Sequence, residues 1–130
     1  MHSPIEPRSP SPSEDTTAAA ELPLIDQRIM SDWCSDMDKE DVVAILARVP
    51  EEGARSLAGF KKAIDAGDVA LARRTAHRLK GMANNLGAVR LARVARAIEL
   101  TSQNIADVSG QMVDLETTLG ETLEALRSYS

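Results

Sequence analysis

The sequence predicts an all-α fold, an antiparallel four-helix bundle with one or two short additional helices on its N-terminal side. Three observations carry that expectation. Hydrophobic residues make up 43% of the 130-residue chain but aromatics only 2%, so the apolar material is chiefly Ala, Leu, Val and Ile, which suits close helix packing. No sustained stretch alternates Val, Ile, Thr or Tyr with polar residues at period two, the mark of a half-buried strand. Pro50, the Gly67-Asp68 pair and Gly87 punctuate the chain into segments joined by short loops, so consecutive helices should be antiparallel neighbours.

Residues 1–21 hold Pro4, Pro7, Pro10 and Pro12 among Ser and Thr. Such a stretch cannot bury enough apolar surface to offset the entropy of ordering, so it is expected to be a disordered tail, with residues 22–130 forming the domain. After Pro23, the side chains of Leu24, Ile25, Ile29 and Trp33 give one short apolar face. Asp38 is a fitting N-cap for a second short helix carrying Val42, Val43, Ile45 and Leu46. Pro50 suits the first turn of the next helix, whose positive end matches Glu51 and Glu52. Leu57, Phe60 and Ile64 form its apolar side, and Gly67 is a natural terminator.

Asp68 then caps a longer helix. Its apolar residues Val69, Ala72, Ala76, Leu79, Ala83 and Leu86 recur in threes and fours, the spacing of a bundle seam. Gly87 ends it. A further segment is expected to carry Leu91, Val94, Ile98 and Ile105 on one face, and a last helix Val108, Met112, Leu115, Leu119 and Leu126, with Leu123 alongside.

Composition narrows the function. A net charge of −5 argues against general nucleic-acid binding, which needs a basic surface to displace counterions. No apolar run reaches the length of about 18 residues that a membrane helix needs. The N-terminal residues lack the apolar core of a signal peptide. The single cysteine, Cys34, has no internal disulfide partner and is expected to be buried or half-buried as a small apolar residue. The expectation is a small, monomeric, cytoplasmic helical protein.

There are two histidines, and His2 lies in the expected tail, so any histidine chemistry rests on His77. At about 100° per residue, His77 falls roughly 130° from the centre of its helix's seam and should face water. Its neighbours on the wheel are Arg73, Arg74, Lys80, Gly81 and Asn84: three cations, an amide, and a position without a side chain. A mid-helix glycine costs about 1 kcal/mol relative to alanine, so Gly81 wants a reason. One turn beyond His77, it would let a phosphoryl group or another backbone approach the ring. A neutral imidazole has the lone pair that a nucleophile needs, and the cations suit an anion bound to it.

The run AHRLKGMANNLGA, residues 76–88, resembles the signature of histidine phosphotransfer (Hpt) domains: a His, two residues, Lys-Gly, and a Gly-Ala about ten residues after the His. Here those are His77, Lys80, Gly81, Gly87 and Ala88, with Leu79 and Leu86 at the usual apolar positions and a Gly-Asp turn ahead of the helix. The similarity extends over roughly residues 38 to 128. It departs from the family where small hydroxyl residues often follow Lys-Gly, since this chain has Met82 and Ala83.

The resemblance implies that His77 is a phosphoacceptor exchanging a phosphoryl group with the aspartyl phosphate of a receiver domain in a multistep phosphorelay. It implies response-regulator receiver domains and a hybrid histidine kinase as partners. It further implies a phosphocarrier and not an enzyme, with no cofactor of its own and Mg²⁺ on the receiver. Lys80 would neutralise the transferring group. Gly81 and Asn84 would contact the phosphoryl group or the partner, and Arg73 and Arg74 would assist or steer.

Other readings are weaker. No nucleotide-binding glycine loop occurs, and Arg78 follows His77 where histidine-kinase dimerisation helices carry Glu or Asp. Cys34 and His2 do not supply zinc-ligand spacing, and no nucleophile elbow is visible. The rivals are a docking module whose His77 is never phosphorylated, and a phosphoacceptor domain fed by a chemotaxis-type kinase in trans.

Overall fold

The computed structural model describes residues 23–129; the tail expected over residues 1–21 lies outside the described residues. Seven α-helices follow in order: α1 (Gln27–Asp36), α2 (Lys39–Ala47), α3 (Val49–Ala66), α4 (Val69–Leu86), α5 (Val89–Thr101), α6 (Ile105–Gly110) and α7 (Met112–Leu126), with a 3-10 turn at Arg127–Tyr129. No strand occurs among the described residues. Helices α3, α4, α5 and α7 form the bundle, and α1 and α2 are the two short N-terminal additions.

The helix boundaries follow local chemistry. Asp26 caps α1 by accepting from the Arg28 amide, and Asp68 caps α4 by accepting from the Leu71 amide at 3.0 Å. Pro50 stands in the first turn of α3, where its missing N–H costs nothing. Gly67 (φ 66°) and Gly87 (φ 73°) end α3 and α4 in the left-handed conformation that side chains disfavour. Gly87 does more than stop a helix. Its carbonyl accepts from the Asp26 amide at 2.7 Å, and a Cβ there would meet Ile29 Cβ at 3.0 Å, so α1 is seated directly on the α4–α5 turn.

The core sits between the four bundle helices. Phe60, Leu79, Leu91, Ile98 and Leu115 are fully buried in it, while Met30 closes it from α1. Alanine lines much of this seam: Ala72, Ala76 and Ala83 are buried on α4, Ala92 and Ala95 on α5, and Ala88 at the turn between the two helices. Small side chains on both sides bring these two helix axes close together.

Two expectations need correction. The segment after Gly87 does not run through Ile105: α5 stops at Thr101 and Ile105 opens α6. Asn104 caps α6 by accepting from the Asp107 amide at 3.0 Å while Asp107 Oδ2 accepts from the Asn104 amide at 3.3 Å. This capping box outcompetes the apolar period across it. Val108 accordingly belongs to α6, and α7 begins only at Met112. Cys34 is exposed, because α1 turns Met30 to the core and Trp33 to its edge, leaving the next position outside.

Candidate functional site

The α4 seam is satisfied by burial, which leaves the opposite side of the helix to water. His77 lies there with 68% of its side chain exposed. The surrounding residues on α4 are those expected from the wheel: Arg73, Arg74, Gly81 and Asn84 are exposed and Lys80 is half-buried. Among the described residues, no atom outside its own helix lies within 4 Å of the position a Gly81 Cβ would take, so they leave the notch beside the ring open.

The close approach of α5 adds a residue that sequence reasoning missed. Glu99 Oε2 lies 2.8 Å from His77 Nδ1, and Glu99 Oε1 lies 2.8 Å from Lys80 Nζ. One carboxylate therefore bridges both residues of the His-x-x-Lys pair. Only 19% of the Glu99 side chain is exposed, and Oε1 is buried with the Lys80 ammonium as its counter-charge. The ammonium, first, and then the imidazole hold the Glu99 carboxyl below the usual carboxylate range, with partial burial opposing them. An ionised carboxylate only accepts hydrogen bonds, so Nδ1 carries the proton facing it. In the neutral ring, the lone pair then belongs to Nε2.

The ring of cations expected around His77 is thus interrupted by an acid. A signal for it was present: Glu99 is the one acidic residue in residues 69–101, and in an antiparallel pair turning at Ala88 it lies as far beyond the turn as His77 lies before it.

Arg73 is also placed differently from its expected role. Its Nε donates to the Ser102 carbonyl at 3.2 Å, and Nη2 donates to the same oxygen. Ser102 is fully buried at the end of α5, and its hydroxyl accepts from Gln111 Nε2 at 3.2 Å. The Arg73 guanidinium therefore ties the end of α5 to α4, one turn beyond Glu99, and does not point at the ring. Asn84 is exposed two turns from His77 along α4, and no hydrogen bond with a described residue orients its amide.

No group of three or more His, Cys, Asp or Glu among the described residues could hold a metal ion. None of the described helices is long and apolar enough to cross a membrane.

The family model of the Hpt domain matches residues 44–129, a span that includes α3 to α7 and every residue of the site. No curated protein and no solved structure gives a match.

Proposed function

The chain belongs to the Hpt domain family, and from that premise we propose that His77 accepts a phosphoryl group from the aspartyl phosphate of a receiver domain and returns it to another receiver in a multistep phosphorelay. The observation that supports this reading most directly is the exposed ring with one nitrogen committed: Nδ1 faces Glu99, and Nε2 has no partner among the described residues.

In the proposed step, the Nε2 lone pair attacks phosphorus. The N–P bond forms as the bond from phosphorus to the aspartyl oxygen breaks, and the receiver recovers its carboxylate. The ring becomes a phosphorylated imidazolium whose Nδ1–H remains directed at Glu99, which offsets the positive charge the ring gains. Transfer of a phosphoryl group spreads charge over its equatorial oxygens, so most of the catalysis is positioning and electrostatics. Lys80 supplies the nearest cation. Gly81 leaves the space the incoming group needs, and Asn84 and Arg74 contact the partner. The divalent cation of this reaction is held by the receiver's own carboxylates. The chain acts as a monomeric phosphocarrier in the cytoplasm, with residues 22–130 as its phosphotransfer unit.

The test is transfer from a phosphorylated receiver domain to wild type and to His77→Gln, followed by acid and alkali treatment of the product. Label confined to wild type, acid-labile and alkali-stable, is the expected result. A folded protein that binds receivers but takes no label from any of them would instead make this a docking module.

A further inference from the structure

Charge is segregated along this chain. Residues 69–101, the span of α4 and α5, carry seven of its fifteen Lys and Arg but one of its twenty Asp and Glu. That single acid, Glu99, is already engaged by Lys80 and His77. The acidic chain therefore presents a basic face on the two helices that hold the site.

Three members of this face are available to a partner. Arg74, Arg78 and Arg96 are exposed and make no ion pair or hydrogen bond with a described residue, in contrast to Arg73, whose guanidinium is spent on Ser102. They lie on both sides of the ring. On α4, Arg74 and Arg78 fall about 60° and 100° from His77 in the direction away from Lys80 and the α5 seam. On α5, Arg96 precedes Glu99 by one turn and, in the antiparallel register that sets Glu99 against His77, comes level with Lys80. Leu100, 59% exposed and one turn after Arg96, extends the same outer side of α5 with an apolar contact. Cations flanking an open notch, with an apolar residue at one edge, make a surface complementary to an acidic rim around a pocket.

We infer that Arg74, Arg78 and Arg96 form a docking rim that selects receiver domains whose phosphoaspartate pocket is bordered by acidic side chains, and that accelerates their encounter with His77. The inference rests on the phosphotransfer reading above and adds the partner's surface chemistry to it. Exposed charges act at encounter and are screened over about 10 Å at 0.1 M salt, so the rim should govern how fast partners arrive and which ones do.

The test uses receiver domains charged with acetyl phosphate, one set with acidic rims and one with neutral rims, against the full chain. Wild type should take label faster from the acidic set, by about tenfold or more at low ionic strength, with the advantage shrinking as NaCl is raised. Arg78→Glu/Arg96→Glu, checked for an unchanged helical spectrum, should lose that advantage. Replacing rim carboxylates of the receiver by lysine should return it to the variant. Equal rates from both receiver sets, or rates indifferent to salt and to the double substitution, would overturn the inference. So would salt-sensitive binding of a DNA duplex tighter than that of any acidic receiver, which would assign the face to nucleic acid. Chemical labelling of wild-type His77 with phosphoramidate, which needs no partner, separates the two levels. If His77 takes no label from phosphoramidate or any receiver, the phosphotransfer reading itself fails. If it takes label but ignores partner charge, the docking rim alone fails.

Discussion

Glu99 on α5 stands 2.8 Å from Nδ1 of His77 on α4, across a seam that separates them by 22 residues of chain. The same carboxylate holds Lys80. The contact converts a solvated histidine into one with an assigned proton, because an ionised carboxylate can only accept. Removing it should therefore change the ring before it changes the fold. In Glu99→Ala, nitrogen-15 spectra of His77 are expected to move from a predominantly Nδ1–H tautomer to a mixture, and phosphoryl transfer to slow. A ring that stays in the Nδ1–H form would show that Glu99 does not set it.

The same residue makes a pH prediction. Its folded-state pKa is depressed, chiefly by Lys80. The stabilisation it supplies is present above the unfolded carboxylate value of about 4.3 and is lost as pH falls through the lower folded value. Wild type should exceed Glu99→Gln in unfolding free energy at pH 7, and the gap should close in acid. Urea melts of both proteins across that range measure it.

Lys80 is held by Glu99 and stands three residues from His77; in the proposed transfer it neutralises the incoming phosphoryl group. Lys80→Ala is expected to slow transfer by about 10- to 100-fold, the loss of one charge-assisted hydrogen bond of about 1.5–3 kcal/mol, and not to abolish it. Lys80→Arg should recover part of the rate. Single-turnover kinetics with a phosphorylated receiver distinguish these outcomes from loss of binding.

Gly81 has open space where a side chain would stand. Gly81→Ala should therefore fold and gain about 1 kcal/mol from helix propensity. Gly81→Leu should also fold but transfer poorly, since its side chain fills the notch beside the ring. Normal transfer by the Leu variant would remove close approach as the reason for this glycine.

Gly67 and Gly87 share a left-handed backbone but not an environment. A Cβ at Gly67 meets nothing within 4 Å, whereas one at Gly87 meets Ile29 at 3.0 Å. Gly67→Ala should cost about 1–2 kcal/mol from backbone strain alone. Gly87→Ala should cost more, because α1 must also shift. Equal losses in denaturant melts would mean that α1 is not seated as described.

Much of this protein was legible in its sequence because the relevant interactions are local. A cap, a left-handed glycine or an amphipathic seam is decided within about one helical turn, and Asp68, Gly67, Gly87 and the Ala72–Leu86 seam all stand where their spacing puts them. The exposure of His77 follows from that seam alone. The break after Thr101 was local too, but two local signals competed there: the apolar spacing reaching to Ile105 and the Asn104–Asp107 capping box.

By itself, then, the sequence determined the helical class, most helix boundaries, and which face of α4 carries the histidine, the lysine and the glycine. Tertiary structure decided what those residues meet. Arg73 turns to the Ser102 carbonyl, and Glu99 arrives beside His77 and Lys80, because α4 and α5 are packed directly against each other in one antiparallel register. A hydrogen bond fails within about an ångström of misplacement, while helix periodicity fixes direction only to within a fraction of a turn. Periodicity can say that a side chain faces outward; only the packed distance between two helices says which side chain it finds there.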